Sequence, residues 1–156
     1  MNILLITADQ WRGDCLSRLG HSHILTPHLD TLAAEGILFK NHFAQATPCG
    51  PSRACLYSGM YMQNHRSLLN GTPLDARFTN IALEARKKNY DPVLFGYTDV
   101  SLDPREFDAD AASEGYEGIL PGMTARTPLN SDWKLWLEDL QGKGYDIPDD
   151  CWELFK

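Results

Sequence analysis

Short apolar runs alternate along the chain with segments of helical periodicity. The runs Asn2–Thr7 and Pro92–Gly96 are almost wholly apolar, which is typical of strands buried on both faces of a parallel sheet, and Ile37–Phe43 is predicted to form another strand. Helical patterns separate these runs. The order predicts an α/β fold with a mostly parallel (mixed) sheet sandwiched by helices.

Capping residues predict where the helices begin and end. In Thr26–Gly36, Thr26 is the expected N-cap, Pro27 the first helical residue and Gly36 the left-handed residue past the end. Thr79–Lys88 is an amphipathic helix with Thr79 as a possible N-cap. Ser131–Leu140 is a further helix, whose tryptophan stripe favours core or interface. Residues 103–118 and 127–130 are predicted to be a surface excursion and a loop.

The helix around which the chain is organised is predicted to begin near Cys49, with Pro51 in its first turn and Gly59 at its end. Free N–H groups and the helix dipole favour negative charge at such an N-terminus, and Arg53 adds a permanent positive charge. Leu56 and Cys55 are expected to be buried, the latter as a reduced thiol. By itself, this pattern also fits a helix start with a buried cysteine.

The sequence Cys49-x-Pro51-Ser52-Arg53 resembles the signature of the type I sulfatases and phosphonate monoester hydrolases, in the alkaline phosphatase superfamily. The resemblance implies an alkaline-phosphatase-like fold and oxidation of Cys49 to formylglycine by a formylglycine-generating enzyme. The hydrated aldehyde would be the nucleophile. Cys49 and Arg53 are therefore the expected catalytic residues, acting on a small anionic phosphonate, phosphate or sulfate ester.

Asp9 and Gln10 follow the first apolar run, at the carboxyl end of a strand, where ligands bind in open α/β sheets. A carboxylate that caps the next turn is the alternative interpretation of Asp9. The resemblance implies that Asp9, Gln10 and residue 49 ligate a divalent ion such as Ca, Mg, Mn or Zn, for which carboxylate and amide oxygens are suitable. Asp9, Cys49 and Tyr97 are expected to converge at one sheet edge.

The resemblance implies three substrate-binding residues, Asn70, Tyr97 and His65. For Asn70 the alternative is the left-handed position of a turn. His65 follows the nucleophile helix at the spacing where family members also have a histidine, which implies an orienting role. Asp99 departs from the family pattern, because a carboxylate beside an anionic substrate is unfavourable unless paired, protonated or turned away.

Composition and charge limit the kinds of partner and the cellular location that can be expected. The 156 residues have a formal net charge of −7 without a cluster of Lys or Arg, which argues against a nucleic-acid surface. No span approaches transmembrane length, and the N-terminus does not resemble a signal peptide, so a cytoplasmic protein without a membrane partner is expected. The four cysteines do not suggest a zinc site or a disulfide framework.

The resemblance covers residues 1–105 well, and residues 1–156 are interpreted as the N-terminal part of one hydrolase domain. Family members carry a second pair of metal ligands that does not occur after Asp99, so an incomplete site with negligible turnover is expected. One alternative is a non-catalytic truncated α/β module that acts in packing or self-association, as a possible homo-oligomer. The other is a thiol enzyme that uses unmodified Cys49 with a lowered pKa.

Overall fold

The computed structural model of the chain describes residues 1–100, 118–128, 133–148, 150 and 152–153. The chain divides into a first unit, Met1–Phe43, and a second unit, Ala44–Lys156. The first unit contains a 3-10 turn, Ser17–Leu19, and one helix, α1 (Pro27–Glu35). The described elements of the second unit are α2 (Cys49–Ser58), α3 (Met62–His65), α4 (Ile81–Arg86), β1 (Val93–Gly96), β2 (Thr124–Pro128) and α5 (Lys134–Gly142).

The helix α1 begins at Pro27 as predicted, but its caps differ from the prediction. Thr26 makes no side-chain capping bond, because its hydroxyl accepts the Ser17 N–H at 3.0 Å and so connects the 3-10 turn to the helix. The prediction of a left-handed Gly36 is wrong, since its φ is −117°. Its N–H still donates to the Leu32 carbonyl oxygen at 2.9 Å and closes the last turn.

The two strands predicted in the first unit are wrong. Neither Asn2–Thr7 nor Ile37–Phe43 forms a strand, and Leu4 and Phe39 are 84% and 72% exposed. An extended apolar segment becomes a strand only when neighbouring strands accept its hydrogen bonds and its side chains are covered. Within Met1–Phe43 no segment supplies that pairing.

The prediction for α2 is confirmed at both ends. The helix begins at Cys49, and Gly59 ends it in the left-handed conformation (φ 69°), with its N–H on the Cys55 carbonyl oxygen at 2.9 Å. Cys55 is buried and free, as expected. Leu56 is 52% exposed, so the prediction that it is buried is wrong. Two residues rotate a helix by about 200°, so Leu56 faces away from the buried Ala54.

The described strands form a two-stranded parallel sheet in which Val93 pairs with Thr124. The strand β1 confirms the prediction for Pro92–Gly96 to within one residue. The strand β2 was not predicted, and residues 127–128, expected in a loop, belong to it. Only its pairing with β1 makes this short, threonine-containing segment a strand.

The helix α4 begins one residue later than predicted, because Asn80 rather than Thr79 is its N-cap. The Asn80 Oδ1 accepts the N–H groups of Ala82 and Leu83 at 2.9 and 3.1 Å. The helix ends at Arg86 rather than Lys88. It contributes Ala82 to a core that α2 also supplies; the buried members of this core are Ala54, Tyr57, Leu74, Ala82, Val100 and Leu120.

The helix α5 begins at Lys134 rather than Ser131, and residue 131 lies outside the described residues. It contributes no buried residue, and Trp136 is 45% exposed, so the tryptophan stripe does not form the core of the described structure. Residues 103–117 of the predicted excursion also lie outside the described part. None of the described helices is long and apolar enough to cross a membrane.

Candidate active site

The N-terminus of α2 brings Cys49 to a partly buried position at the start of the helix. Pro48 occupies the N-cap position and makes no side-chain capping bond, so the first N–H groups of the helix need other acceptors. One acceptor comes from a distant loop, since the Gly50 N–H donates to the Asn70 Oδ1 at 2.9 Å. Asn70 therefore caps α2 from outside the helix.

A tight turn, Leu69–Thr72, presents Asn70. The Thr72 N–H donates to the Leu69 carbonyl oxygen at 3.0 Å, and Gly71 has a φ of +75° at the third position, where a type II turn requires glycine. The left-handed residue of this turn is thus Gly71, and the alternative that Asn70 occupies that position is wrong. A side chain at position 50 would be crowded, because a Cβ there would lie 3.1 Å from the Asn70 Oδ1.

Arg53 lies one turn after Cys49 and is 8% exposed. Its guanidinium donates to the Tyr97 hydroxyl at 3.2 Å and to the Tyr97 carbonyl oxygen at 3.4 Å. The guanidinium carbon also lies 4.4 Å from the centre of the Tyr97 ring, a cation–π distance. Tyr97, the first residue after β1, therefore orients the buried guanidinium of Arg53 near the start of α2.

Asp99 is the third residue after β1 and contacts Cys49 directly. Its φ of +55° is uncommon for a residue other than glycine, although aspartate tolerates it better than most. The hydrogen bond to the Asp99 carboxylate raises the pKa of the Cys49 thiol, and burial and the negative charge of Asp99 add to this effect. The Gly50 N–H and the Asn70 side chain act in the opposite direction.

The raised pKa of Cys49 argues against the thiol-enzyme alternative. The thiol-enzyme alternative required the helix N-terminus to lower the pKa of Cys49, whereas the pKa is raised. A neighbouring carboxylate and partial burial both disfavour the thiolate and outweigh the donors at the helix start. The unmodified side chain is therefore a neutral thiol at pH 7 and a poor nucleophile.

His65, at the end of α3, is 3% exposed and lies behind α2. Its Nδ1 accepts the Ser67 N–H at 3.0 Å, and its Nε2 lies 3.2 Å from the Cys55 Sγ. Because Nδ1 is an acceptor, the neutral ring carries its proton on Nε2 and donates to the sulfur. Burial lowers the pKa of His65 below its ordinary value of 6.5.

The lowered pKa of His65 predicts a pH-dependent stability. Between the two pKa values the unfolded chain binds the proton and the folded chain does not, so the free energy of unfolding falls as the pH decreases through about 6.5. Urea unfolding between pH 7.5 and 5 should show a slope from this group of at most about 1.4 kcal/mol per pH unit. His65→Asn should remove this contribution, whereas His28→Asn on the exposed surface of α1 should retain it. Equal slopes in wild type and His65→Asn would contradict the assignment.

Asp9 and Gln10 belong to the first unit and follow an apolar segment that forms no strand. Both are exposed, and Gln10 has a φ of +53°, a strained conformation of the kind that clusters at functional sites. Among the described residues, no three His, Cys, Asp or Glu side chains are grouped so as to hold a metal ion. Ligation by Asp9, Gln10 and residue 49 stays a prediction.

The structure thus brings Cys49, Arg53, Asn70 and Tyr97 together in the second unit. It adds two residues that were not among the predicted catalytic, metal or substrate-binding residues, although the sequence already indicated Asp99 as a carboxylate beside the substrate. Gly50 supplies the N–H bound by Asn70, and Asp99 contacts the thiol. The signal for Asp99 was its place just after β1, where Tyr97 was already a candidate. For Gly50 the signal was a glycine in the first turn of a helix, where it is otherwise unfavourable.

Among the known proteins to which this chain is similar in sequence are hydrolases. The family model described as Sulfatase matches residues 1–135. The multifunctional alkaline phosphatase superfamily protein PehA of Trinickia caryophylli is 36% identical over 97% of this chain and 31% of its own length. An arylsulfatase of Clostridium perfringens is 38% identical over 96% of this chain and 33% of its own length. The chain thus spans about a third of the length of these curated relatives.

One solved structure is similar to this chain in both sequence and fold. The phosphonate monoester hydrolase of Agrobacterium radiobacter is 54% identical and superposes with a TM-score of 0.79, covering 88% of this chain and 28% of that protein. The comparison confirms the expected α/β, alkaline-phosphatase-like fold class. Of this fold, the described residues form helices and a small parallel sheet.

Proposed function

Because the chain belongs to the sulfatase family, we propose that it forms part of a metal-dependent hydrolase of phosphonate or phosphate diesters or of sulfate esters. The observation that carries the proposal is the grouping of Cys49, Arg53, Asn70 and Tyr97 at the N-terminus of α2. A helix N-terminus with a buried cation and side-chain amide beside it suits an anionic ester.

Before the proposed hydrolase can act, a separate formylglycine-generating enzyme oxidises its Cys49 to formylglycine. The raised thiol pKa argues against the unmodified thiol as the nucleophile and so favours a modified side chain at position 49. The hydrated aldehyde would supply a nucleophilic oxygen and a second hydroxyl able to expel the product. A serine or cysteine ester could not break down by that route.

The neighbouring side chains bind and orient the ester. The planar guanidinium of Arg53 donates hydrogen bonds to the non-bridging oxygens of the ester. Its contacts with Tyr97 hold the guanidinium in place before the substrate arrives. Asn70 has its Oδ1 on the Gly50 N–H, which leaves its amide N–H groups to donate towards position 49. Preformed donors of this kind stabilise charge that develops in the transition state.

Asp9 and Gln10 are the residues that would hold the divalent ion. Their donor set fits a hard cation, because it combines a carboxylate with an amide oxygen and both side chains are exposed. Such an ion would neutralise non-bridging oxygens and lower the pKa of a coordinated hydroxyl. Two residues supply only part of the usual set of about six oxygen ligands.

Asp99 determines the charge of the preferred substrate in this proposal. Its carboxylate contacts position 49, so it repels a dianionic ester more than a monoanionic one. Diesters of phosphate and monoesters of phosphonate both carry a single charge at neutral pH. We therefore favour these substrates, although this charge argument alone does not separate them from singly charged sulfate esters.

Two measurements test the proposed function. The intact mass of the protein produced with a formylglycine-generating enzyme should be about 18 Da lower than the sequence mass, because the thiol becomes an aldehyde. A full-length protein that contains these residues should then be assayed with phosphodiesters, phosphonate monoesters, phosphate monoesters and aryl sulfates. Monoanionic phosphorus esters should have the highest kcat/KM. Dianionic phosphate monoesters that exceed them by more than about tenfold, a difference of about 1.4 kcal/mol, would overturn the charge preference attributed to Asp99, and aryl sulfates that exceed them by the same factor would overturn the preference for phosphorus esters.

The second candidate is a non-catalytic module that associates through its exposed apolar surface. The observation that favours it is the exposure of Ile3, Leu4, Ile37 and Phe39 in the first unit. No turnover of any ester by the full-length, formylglycine-containing protein would favour this function over hydrolysis.

A further inference from the structure

The segment between α2 and Thr72 is attached to α2 at two separate points. Near the start of the helix, the Gly50 N–H donates to Asn70, and in the middle of the helix Cys55 contacts His65. Five residues separate these points, or about 7.5 Å along the helix axis. The second contact is buried, with Cys55 5% and His65 3% exposed.

A continuous series of hydrogen bonds connects His65 with the turn that presents Asn70. The Ser67 N–H donates to the His65 Nδ1 at 3.0 Å, and the Ser67 hydroxyl donates to the Thr72 carbonyl oxygen at 2.8 Å. Within the turn, Leu69 and Thr72 bond to each other through the Thr72 N–H and hydroxyl at 3.0 and 3.3 Å. Ser67 is 2% exposed, so water has little access to the two hydrogen bonds that it makes.

We propose that His65 is a positioning residue, which holds the turn Leu69–Thr72 so that Asn70 reaches the N-terminus of α2. Asn70 is exposed, and Gly71 gives its turn conformational freedom, so the amide needs an anchor outside the turn. His65 supplies that anchor, because each of its ring nitrogens has a partner and the two partners lie on different segments. Burial leaves His65 without access to a substrate.

Hydrogen exchange at the Gly50 amide measures this positioning without any substrate. Gly50 is the second residue of α2, so its N–H has no acceptor within the helix and depends on Asn70. His65→Ala should increase Gly50 exchange about tenfold relative to Ala54 in the middle of α2, as Asn70→Ala should. The ratio to Ala54 separates a local release of the turn from general destabilisation.

Three further variants keep the test decisive if His65→Ala folds poorly. His65→Asn should give Gly50 exchange between those of wild type and His65→Ala, because its amide oxygen replaces Nδ1 as the acceptor of the Ser67 N–H but the shorter side chain loses the contact with Cys55. Ser67→Ala removes the hydroxyl bond to Thr72 and should weaken protection, whereas Gln63→Ala on the exposed face of α3 should not. Unchanged relative Gly50 exchange in both His65→Ala and Ser67→Ala would overturn the proposal.

The catalytic consequence of this inference rests on the proposed function. In a full-length active protein, His65→Ala and Asn70→Ala should each lower kcat/KM, and the double variant should be no worse than the more impaired single variant. Additive losses would show that His65 does not act through Asn70. If the exchange result holds and no variant or wild type hydrolyses any ester, the positioning stands and the proposed function fails.

Discussion

Replacing Cys49 with alanine is expected to abolish turnover in a full-length protein that contains this chain, because alanine cannot be oxidised to the aldehyde. Cys49→Ser should allow at most one slow transfer of the phosphoryl or sulfuryl group to serine, after which the ester stalls. A burst of product of about one equivalent, followed by no steady turnover, would be the kinetic sign of that intermediate. Mass spectrometry of the stalled protein should detect the modified serine.

Cys15 supplies the matched control for this experiment. It is a free cysteine in the first unit, and no role has been assigned to it. Cys15→Ala should therefore leave kcat/KM within about twofold, as is usual for substitutions away from special features. Full activity of Cys49→Ala, with the metal present, would contradict the whole mechanism.

Replacing Arg53 is expected to have the second largest effect. Arg53→Lys keeps the charge but loses the planar guanidinium and its stacking on Tyr97, so kcat/KM should fall about 100-fold or more, the usual loss for one donor to a developing oxyanion. Tyr97→Phe removes only the hydroxyl that accepts from Arg53 and should have a smaller effect. Steady-state kinetics on the preferred ester should give this order.

Arg77 is the control for Arg53, since it also lies in the second unit but its side chain is 81% exposed and pairs with Asp75 at 2.7 Å. Arg77→Lys should change neither kcat nor KM by more than about twofold. Because Arg53 is buried, the thermal stability of each variant must be measured in parallel. An Arg53→Lys variant with normal stability and wild-type kcat/KM would exclude the assigned role.

The prediction of α2 was accurate because its signals are local. A proline fits the first turn, and a glycine can adopt the left-handed conformation that ends a helix, whatever the rest of the chain does. Asn80 shows the limit of such reasoning, because it and Thr79 are both suitable N-caps and adjacent in sequence. The backbone conformation decides between neighbours of equal propensity.

Strands depend on partners, so the apolar pattern was a poorer guide to them. Asn2–Thr7 has the composition of a buried strand and forms none in the first unit, whereas Thr124–Pro128 has a weaker pattern and pairs with β1. A helix satisfies its hydrogen bonds within one segment, but a strand must find its acceptors on another. The sequence of one segment does not contain that information.

For the site, the sequence by itself determined the chemistry of the candidates: a cysteine and an arginine at a helix start, and polar side chains after an apolar run. Only the tertiary structure decided that Arg53 stacks on Tyr97, that Asn70 caps α2 from 20 residues away, and that Asp99 contacts Cys49. The same contacts reversed the expected direction of the Cys49 pKa. A pKa depends on which charges and donors lie within a few ångströms, and these neighbours are separated along the chain and meet only when it folds.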